Sequence, residues 1–495
     1  MAATAPRTLT INPVTRLEGH ARINMFLDEA GMLADCYVVV PELRGFERFL
    51  VGRPIEEVLR ITPRICGVCP EAHHAASAKA ADAVYGLRIP PTAELIRRLQ
   101  YNAFVAGDHA THFFALGGPD FILGPDAPAA TRNVFGVIDK VGAELAGLVL
   151  RMRREAHEVA EMLGGRRVSP VGMIPGGQSK AVTPAMQQRL VQIGDFMVEF
   201  SKRSLQVFAD VVLSDGACVD LIRSEAFTHR TYYMALVNDR GQVDHYDGQV
   251  RVVGPDGAEL CRYAPAEYLD HVAEHLEPWT YVKLPYLKRV GWRGFVDGPE
   301  SGVYRSGPLG MINAAQAMQT PLAEAERERF FATLGPGPVH ATLATHWARL
   351  IEMVQASELV ARHAGDERLT DPDVRVLPSA TPHEGVGVVQ APRGLLTHHF
   401  VTDEQGLVRR ANLIVGTTNS YAAIQMSVKK AAAALIDGRR DPGPGVFNRI
   451  EMALRAYDPC FGCATHALPG EMPLELRFFG PGGEPLTTLR REVPA

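Results

Sequence analysis

Two Cys-x-x-Cys pairs lie near opposite ends of this 495-residue chain, Cys66 with Cys69 and Cys460 with Cys463. The two sulfurs of each pair can approach one metal centre, and together the pairs supply four soft thiolate ligands. Such pairs are also typical of structural zinc sites, but zinc ribbons place theirs within about 15–20 residues of each other. The spacing here disfavours a small zinc clip and requires a fold that brings the two ends of the chain together.

The residues around each pair form a longer pattern. Arg-x-Cys-Gly-x-Cys-x-x-x-His runs from Arg64 to His73, and Asp-Pro-Cys-x-x-Cys-x-x-His runs from Asp458 to His466. Both patterns resemble the large subunit of nickel–iron hydrogenases. Further segments resemble that family in the same order along the chain: TRLEGHARI (15–23), RGFERFL (44–50), YRSGPLGMIN (304–313), HWARLIE (346–352) and APRG (391–394). The resemblance is strong because several separate motifs agree.

The resemblance implies a catalytic subunit that splits H2 reversibly into protons and electrons at a thiolate-bound nickel–iron centre. Cys66 and Cys460 are then terminal ligands of nickel, whereas Cys69 and Cys463 bridge nickel and iron. The iron carries carbon monoxide and cyanide, which maturation proteins install. Heterolytic cleavage needs a Lewis-acidic metal and a nearby base, and thiolates suit the metal while offering a protonatable site.

The resemblance also assigns catalytic roles to charged residues. Glu18 corresponds to a glutamate that relays protons away from the metals, a role that suits a carboxylate whose pKa burial can raise. Arg393 corresponds to an arginine that lies over the metal pair, held by the aspartates that match Asp108 and Asp458. Without the resemblance, Glu18 and Asp108 are typical of solvated or helix-face acids. A buried Arg393 needs paired charges in either case.

Uncharged polar residues complete the predicted site. His73, one helical turn after Cys69, could donate a hydrogen bond to a ligand sulfur. Thr417 and Thr418 resemble hydroxyl donors near the diatomic ligands of the iron, and Pro392 resembles a residue of the cofactor pocket. His74 is predicted to be an ordinary core histidine.

A second metal and a removable tail follow from the same resemblance. Glu47 and His466 are expected to bind magnesium, since a hard cation accepts oxygen and imidazole ligands. In the family, an endopeptidase removes a C-terminal extension after the histidine that matches His466, so residues 467–495 are expected to be that extension. PLELRFF and PLTTLRRE predict a hairpin within it. We expect this hairpin to hold segment 460–463 away from the site until nickel arrives.

Two positions depart from the family pattern. Many relatives have a histidine where this chain has Ser169, and most have a glutamate where it has Gln390. The histidine is thought to act at the contact with the electron-transfer subunit. The details of that relay are therefore expected to differ in this chain.

Local patterns predict the elements that position these residues. Pro70 and the helix formers after it predict a helix that starts just after Cys69 and ends at Gly86, with its N-terminus favouring thiolates. Other predicted elements are a hairpin over 21–41, helices over 92–116, 133–163, 184–213, 321–334 and 341–363, and strands within 227–285 and 385–415.

The predicted fold class is a multidomain α and β protein, mainly a helical bundle core with α+β lobes. The predicted divisions are an N-terminal β-hairpin lobe (1–60), a helical core with the first cysteine pair (61–225), an α+β lobe (226–318), a helical and β core with the second pair (319–466) and the extension (467–495).

Composition disfavours several function classes. The chain is 46% hydrophobic and 22% charged, with a net charge of −5 and no long basic run, so we expect a globular protein that does not bind nucleic acid. No apolar run reaches the roughly 18 residues of a membrane span, so direct membrane insertion is not expected. Cytoplasm is the expected location, although exported relatives travel with a partner that carries the signal.

The cysteine count sets the partner requirement. Of seven cysteines, four belong to the two pairs, and Cys36, Cys218 and Cys261 are predicted to be small core residues. Too few remain to bind iron–sulfur clusters, so electrons must leave through a separate iron–sulfur small subunit. VDHYDGQVRV (243–252) and FGCATHAL (461–468) most resemble the cytoplasmic bidirectional group, and its NAD-linked branch implies a flavoprotein (diaphorase) module.

Other classes stay open at this point. One is a scaffold, similar to the cysteine-lacking relatives in respiratory complex I, which the intact cysteine pairs disfavour. Another is a zinc-stabilised scaffold without catalysis, which bound zinc without nickel or iron would indicate. Within the hydrogenases, coupling to a non-NAD carrier is the alternative to NAD.

Overall fold

A helical core with small sheets around it forms the fold. The computed structural model describes residues 7–438, 442–465, 474–480, 482 and 484–491. Within them the α-helices are, in chain order, α1 (Phe46–Leu50), α2 (Ile55–Ile61), α3 (Pro70–Val84), α4 (Pro91–Thr111), α5 (Pro119–Ile122), α6 (Val134–Val141), α7 (Ala143–Gly164), α8 (Pro184–Phe208), α9 (Gly216–Arg223), α10 (Tyr268–His271), α11 (Pro308–Ala314), α12 (Pro321–Leu334), α13 (Thr345–Ala364), α14 (Gly416–Ile436), α15 (Pro444–Arg455) and α16 (Phe461–Ala464).

The strands form separate sheets rather than one large one. In chain order they are β1 (Arg7–Ile11), β2 (Arg22–Leu27), β3 (Leu33–Val39), β4 (Met173–Ile174), β5 (Gly177–Gln178), β6 (Tyr232–Val237), β7 (Gln249–Val253), β8 (Glu259–Tyr263), β9 (Val272–His275), β10 (Leu284–Leu287), β11 (Tyr304–Arg305), β12 (Glu384–Ala391), β13 (Gly394–Thr402), β14 (Val408–Ile414), β15 (Leu474–Phe479) and β16 (Pro485–Arg491). The sheet orders are β1-β2-β3, β4-β5, β11-β6-β7-β8, β10-β9, β12-β13-β14 and β15-β16.

Helix α13 lies at the centre of the bundle. It packs against α4 and α8, and α7 packs against α4. Trp347, Leu350 and Ile351 are among the side chains that α13 buries completely. The recurrence of apolar residues three and four positions apart explains why these long helices associate, since it gives each one a buried stripe.

Helix α3 packs directly on β12, and this contact sets the geometry of the site. α3 is rich in alanine, and β12 presents Gly385 and Gly387 to it. A Cβ atom on Gly387 would lie 2.1 Å from the Ala76 carbonyl oxygen, and one on Gly385 would lie 2.3 Å from the Ala80 oxygen. The two elements run in opposite directions, so the loop before α3 and the turn after β12 meet at one end of the contact.

The predicted elements are confirmed over most of their lengths, with two corrections. The hairpin over 21–41 is β2–β3, and the helix after Cys69 is α3. The helix predicted over 133–163 is instead α6 and α7, because Gly142 at φ 91° interrupts it. The predicted helices over 92–116 and 184–213 end as π-helices, at His112–Gly117 and Ala209–Leu213.

Other expectations concern the cysteines, the tail and membrane spans. Cys36 is buried, as predicted, but Cys218 and Cys261 are only half-buried, so their assignment to the core is wrong. The hairpin predicted in the tail is β15–β16, whose strands pair antiparallel. Among the residues described, no helix has both the length and the apolar character to cross a bilayer.

Candidate metal centre

The four cysteine sulfurs meet in one buried cluster. The Sγ atoms of Cys66 and Cys460 are 3.3 Å apart, and those of Cys69 and Cys463 are 3.6 Å apart. All four sulfurs lie within 4.8 Å of one another, and each residue is at most 5% exposed. This donor set fits a metal centre held by soft thiolates, and a nickel–iron pair is one such centre.

The thiols of the cluster do not ionise independently. Burial opposes the ionisation of Cys66, but hydrogen bonds from the other three thiols outweigh it and lower its pKa. Burial raises the pKa values of Cys460 and Cys463 well above the usual value. A bound metal cation removes that penalty, because ligation deprotonates a thiol outright.

The first pair is held by the loop that leads into α3. The backbone N–H groups of Val68 and Cys69 point at Cys66 Sγ, at 3.2 and 3.1 Å. Cys69 immediately precedes α3, whose first residue is Pro70. Peptide dipoles at a helix N-terminus favour negative charge on the sulfurs. The backbone of this segment therefore positions its own ligands.

The second pair, in and just before α16, is held by side chains from elsewhere. The Cys460 N–H donates a hydrogen bond to Thr417 Oγ1 at 2.9 Å, and Thr418 Oγ1 donates to the Ala464 carbonyl oxygen at 3.3 Å. Both threonines stand in the first turn of α14, and Thr417 lines a cavity beside the cysteines. Their role as donors to diatomic ligands of iron stays a prediction.

The C-terminal hairpin does not keep the second pair out of the site. β15 and β16 are present, yet Cys460 and Cys463 already lie beside Cys66 and Cys69. The expectation that the hairpin holds segment 460–463 away is therefore wrong. His466 lies outside the described residues, and its ligation of magnesium stays a prediction.

Glu18 is held against the second pair by the backbone. Residues 18 and 460 form a parallel bridge, in which the Phe461 N–H donates to the Glu18 carbonyl oxygen at 3.0 Å. Oε2 of Glu18 accepts hydrogen bonds from the Cys460 thiol and the Gly462 N–H, both at 3.0 Å. Gly19, at φ 83°, permits this approach, since its Cβ would lie 2.7 Å from the Gly462 nitrogen. The predicted proton acceptor thus lies one hydrogen bond from a ligand sulfur.

Arg393 and Pro392 form the two-residue turn between β12 and β13. The guanidinium pairs with Asp108 (Nη1 to Oδ2, 3.2 Å) and with Asp458 (Nη2 to Oδ2, 2.8 Å). Its Nε donates to the Asp458 carbonyl oxygen at 2.8 Å. Arg393 lines the same cavity as Cys69, Cys460 and Cys463. The structure therefore brings the arginine and both aspartates together at the cysteine cluster.

Burial and pairing set the charges around Arg393. Burial raises the pKa of Asp108, and that of Asp458 to about 6, while Arg393 opposes both shifts. Burial opposes the charge on Arg393, but Asp108 and Asp458 outweigh it and raise its pKa. A permanent cation therefore faces the thiols.

The two histidines of α3 have different surroundings. His73 lines the cavity, and its Nδ1 lies 3.1 Å from His398 Nε2. Burial lowers the pKa of His73 to about 4, and its Nε2 has no hydrogen-bond partner within the described parts of the chain. Its hydrogen bond to a sulfur stays a prediction. His74 is the core histidine that the pattern predicts, with Nδ1 at 3.0 Å from the Leu59 carbonyl oxygen and Nε2 accepting the Met173 N–H at 3.0 Å.

Glu47 is a buried carboxylate apart from the cysteine cluster. It is 2% exposed, and burial raises its pKa to about 8, although nearby Lys283 opposes the shift. A bound cation favours the ionised form of such a group. Glu47 therefore suits the predicted magnesium site, of which the structure describes one side.

Gln390 shows why this chain departs from the family pattern there. Its Oε1 accepts the Leu236 N–H at 3.1 Å, and its Nε2 donates to the Ser306 carbonyl oxygen at 2.6 Å. A carboxylate has no proton to donate to Ser306, so the amide is required by its neighbours. Ser169, the other departure, is half-buried and has a left-handed backbone at φ 52°.

Sequence reasoning gave no role to three residues beside Asp458, namely His109, Arg349 and Glu352. Arg349 Nη1 lies 3.3 Å from Asp458 Oδ2, and His109 Nε2 lies 2.9 Å from Glu352 Oε2. The available signal was the presence of charged residues in HWARLIE, on a helix that apolar spacing places at the centre of a bundle. Their partners, however, come from distant segments.

The fold and the four-thiolate cluster together define a thiolate-bound metalloenzyme. The family model for nickel-dependent hydrogenase matches residues 44–133 and 244–466, and a model described as HoxL-like matches residues 8–43. The chain belongs to the nickel-dependent hydrogenase family, and it is the catalytic large subunit of a hydrogenase. The predicted family and activity class are therefore confirmed.

Curated relatives match over almost the whole chain. It is 43% identical to the iron-sulfur subunit of the F420-non-reducing hydrogenase from Archaeoglobus profundus over 484 residues, which cover 98% of this chain and 99% of the relative. It is 37% identical to the beta subunit of the NAD-reducing hydrogenase HoxS from Cupriavidus necator over 496 residues, covering 96% and 98%.

Solved structures confirm the fold class. A crystal structure of an NAD+-reducing nickel–iron hydrogenase in the H2-reduced state superimposes with a TM-score of 0.87 at 35% identity, covering 94% of this chain and 100% of that one. The reduced nickel–iron–selenium hydrogenase of Desulfovibrio vulgaris Hildenborough matches with a TM-score of 0.72 at 22% identity, covering 93% and 100%. The mixed helical and β architecture is therefore that of the hydrogenase large subunits.

Proposed function

We propose that this protein catalyses the reversible heterolytic cleavage of H2 into protons and electrons. The observation that carries the proposal is the contact between Glu18 Oε2 and the Cys460 thiol, 3.0 Å apart, within a cluster of four cysteine sulfurs. Heterolytic cleavage needs a Lewis acid and a base within reach of it. The cysteines provide ligands for the first, and Glu18 provides the second.

Cys66, Cys69, Cys460 and Cys463 would hold the nickel–iron centre, with carbon monoxide and cyanide on the iron. When bound, this centre supplies the Lewis acidity and the electron-accepting capacity of the reaction. The resemblance makes Cys66 and Cys460 terminal and the other two cysteines bridging, and the sulfurs pair in the same combinations, 66 with 460 and 69 with 463.

The chain's own residues move the proton and fix the surroundings. The proton held at Cys460 Sγ passes to Glu18 Oε2 along their hydrogen bond. Arg393 presents a permanent positive charge to the cluster, and Asp108 and Asp458 hold its planar guanidinium. Pro392 fixes the preceding position of that turn. Apolar side chains that line the cavity limit the entry of water.

Electrons then leave through an iron–sulfur small subunit. The cysteines of this chain outside the cluster, Cys36, Cys218 and Cys261, are too few to bind such clusters. The relatives are themselves named as subunits of larger hydrogenases, which supports a multi-subunit enzyme. A flavoprotein module belongs to the same proposal if NAD is the acceptor.

NAD is the first candidate for the final acceptor. The likeness to an NAD+-reducing hydrogenase structure, with a TM-score of 0.87, supports it. A non-NAD carrier is the second candidate, because the 43% identical relative is named F420-non-reducing and not NAD-reducing. Flavin content and NAD-dependent H2 oxidation by the purified enzyme distinguish the two.

Three further features complete the proposal. Glu47 and His466 bind magnesium. An endopeptidase removes residues 467–495 after His466 once the metals are in place. The enzyme works in the cytoplasm, as the bidirectional group that the sequence resembles does.

Metal analysis of the enzyme purified with its partner subunits tests the proposal. We expect nickel and iron in the large subunit, H2-dependent reduction of a viologen dye, and an intact mass that ends at His466. Zinc without nickel or iron, and no turnover, would instead establish the zinc-stabilised scaffold without catalysis. Full-length active enzyme would refute the processing step alone.

A further inference from the structure

The Asp458 carboxylate is shared between two arginines. Its Oδ2 lies 2.8 Å from Arg393 Nη2 and 3.3 Å from Arg349 Nη1. Arg349 is completely buried and lies on α13, in the middle of the helical bundle. A second buried guanidinium is costly to desolvate, so its retention at this place asks for a reason.

We propose that Arg349 is a positioning residue, which fixes Asp458 and thereby holds both Arg393 and the second cysteine pair in their working geometry. The inference rests on the proposed function. Arg349 is not among the residues that line the cavity beside the cysteines, so its effect is exerted through Asp458.

Asp458 is well placed to transmit this effect. Its backbone has φ 53°, a left-handed conformation that few residues other than Gly, Asn and Asp adopt readily. Its carbonyl oxygen accepts a hydrogen bond from Arg393 Nε at 2.8 Å. Only Pro459 separates it from the ligand Cys460, so a rotation of Asp458 moves both the arginine and the ligand segment.

Arg349 is held in turn by a buried chain of contacts. Nη1 lies 3.0 Å from His109 Nδ1 and 3.2 Å from the Pro392 carbonyl oxygen. Because an arginine only donates, His109 Nδ1 must accept, and the remaining proton of the neutral ring sits on Nε2. That Nε2–H donates to Glu352 Oε2 at 2.9 Å. Burial lowers the pKa of His109 well below its usual value, in agreement with a neutral ring.

The rest of the Arg349 side chain supports a role tied to Asp458. Nε and Nη2 have no hydrogen-bond partner in the described residues, so all of the directional contacts pass through Nη1. Buried polar groups that stay unpaired are rare and usually have a functional reason. An arginine kept only for stability would be expected to use its whole fork.

A proton relay through the same residues makes a different prediction. A relay needs an ionisable carboxyl at position 352, whereas positioning needs only an acceptor for the His109 Nε2–H. Glu352→Gln keeps that acceptor and removes the titration. The two roles are therefore separable by one substitution.

The test uses the complete enzyme, purified with its partner subunits, and the variants Arg349→Met, Arg349→Lys and Glu352→Gln. Arg97→Lys is the matched control, since Arg97 is also completely buried and paired, with Asp82 at 2.5 Å, but makes no contact with Asp458. Measurements are nickel and iron content, kcat and KM for H2, and the infrared bands of the iron-bound carbon monoxide and cyanide.

We expect Arg349→Met to load nickel, to shift the infrared bands and to lower kcat by on the order of 10²-fold with little change in KM, as a misplacement of about 1 Å does. Arg349→Lys should recover part of this loss because the charge returns without the fork. Arg97→Lys should lower stability without moving the bands. Glu352→Gln should resemble the parent enzyme more closely than Arg349→Met does.

Three results would overturn the inference. They are unshifted bands with normal kcat in Arg349→Met, failure of Arg349→Lys to load nickel, which makes the role one of folding, and a loss of kcat in Glu352→Gln as large as in Arg349→Met, which makes it proton relay. Absence of nickel or of H2 turnover in the parent enzyme refutes the proposed function itself.

Discussion

The two cysteine pairs reach the same centre by different means. Cys66 and Cys69 lie where a loop becomes α3, and N–H groups of that loop contact Cys66 Sγ. Cys460 precedes a single turn of helix, and Thr417 and Glu18, from distant segments, hold it in place. One half of the site is therefore built by local backbone, and the other half by tertiary contacts.

This difference shows where the site is vulnerable. Substitutions far from Cys66 should leave the first pair in place, because its support lies within the same segment. The second pair depends on α14, on the segment around Glu18 and on the β12–β13 turn. Side-chain substitutions in those elements should disturb ligation and catalysis although they remove no ligand.

The largest expected effect comes from removing one ligand from each pair. Cys69→Ser and Cys463→Ser should both lose binuclear metal assembly and all turnover, because a hard hydroxyl is a poor replacement for a thiolate. Nickel and iron analysis and H2 oxidation measure this. Cys218→Ser, at a half-buried cysteine outside the cluster, is the control and should keep both metals. Normal metal content with normal turnover in either ligand variant would falsify the assignment.

Glu18→Gln should separate assembly from proton movement. Its amide cannot take a proton at neutral pH, so we expect turnover to fall by on the order of 10²–10⁴-fold while nickel and iron stay bound. H2 oxidation per bound nickel is the measurement. Glu161→Gln, at an exposed glutamate paired with Arg167, should change nothing. If Glu18→Gln turns over normally, the proton route begins at another residue.

Arg393→Lys tests the turn that approaches the second pair. A lysine keeps the charge but cannot hold two aspartates with one planar fork, so we expect full metal loading and a kcat lower by on the order of 10²-fold. Steady-state kinetics with a viologen dye measure it. Arg409→Lys, at an exposed arginine beside Asp403, serves as the control. An unimpaired Arg393→Lys would show that only the charge matters.

Gln390→Glu should destabilise the β12 end of that turn in a pH-dependent way. The new carboxyl would face the Ser306 carbonyl oxygen in place of the amide donor, which raises its pKa in the folded state above the unfolded value of about 4.3. The folded state then binds more protons than the unfolded state, so stability falls as pH rises from about 4. At neutral pH the cost is about 1–3 kcal/mol.

Thermal unfolding of Gln390→Glu from about pH 4 to pH 8 measures this effect. Gln405→Glu, at an exposed position, is the matched control and should show no such slope. A loss of stability that does not vary with pH would mean that the substitution acts by packing and not by ionisation.

Thr417→Ala should give the smallest effect and addresses the comparison most directly. It leaves the buried Cys460 N–H without its acceptor, at a cost of about 1–2 kcal/mol. Thr417→Ser keeps the hydroxyl and should restore stability. Denaturant midpoints and the rate of nickel release to a chelator are the measurements. Equal release rates for both variants would show that the second pair does not rely on this bond.

The same difference decides what could be predicted from the sequence. Pro70 and the alanine-rich run after Cys69 indicate α3 directly, and the motifs give the ligands. The helix break at Gly142 was missed because one glycine within an apolar pattern is a weak signal. The contact between Arg349 and Asp458 joins residues 109 positions apart, and no local pattern encodes it. The domain divisions and the individual site roles remain predictions.

The separation of the two pairs also sets an order of events during synthesis. Cys66 and Cys460 are 394 residues apart, so at about 5–20 residues per second the first pair leaves the ribosome roughly 20–80 s before the second. For that interval two neighbouring thiols at a helix start have no metal-binding partners from the far end. The nascent chain must therefore be kept from oxidation and from stray metal ions, and the centre can be completed only after the second pair has emerged.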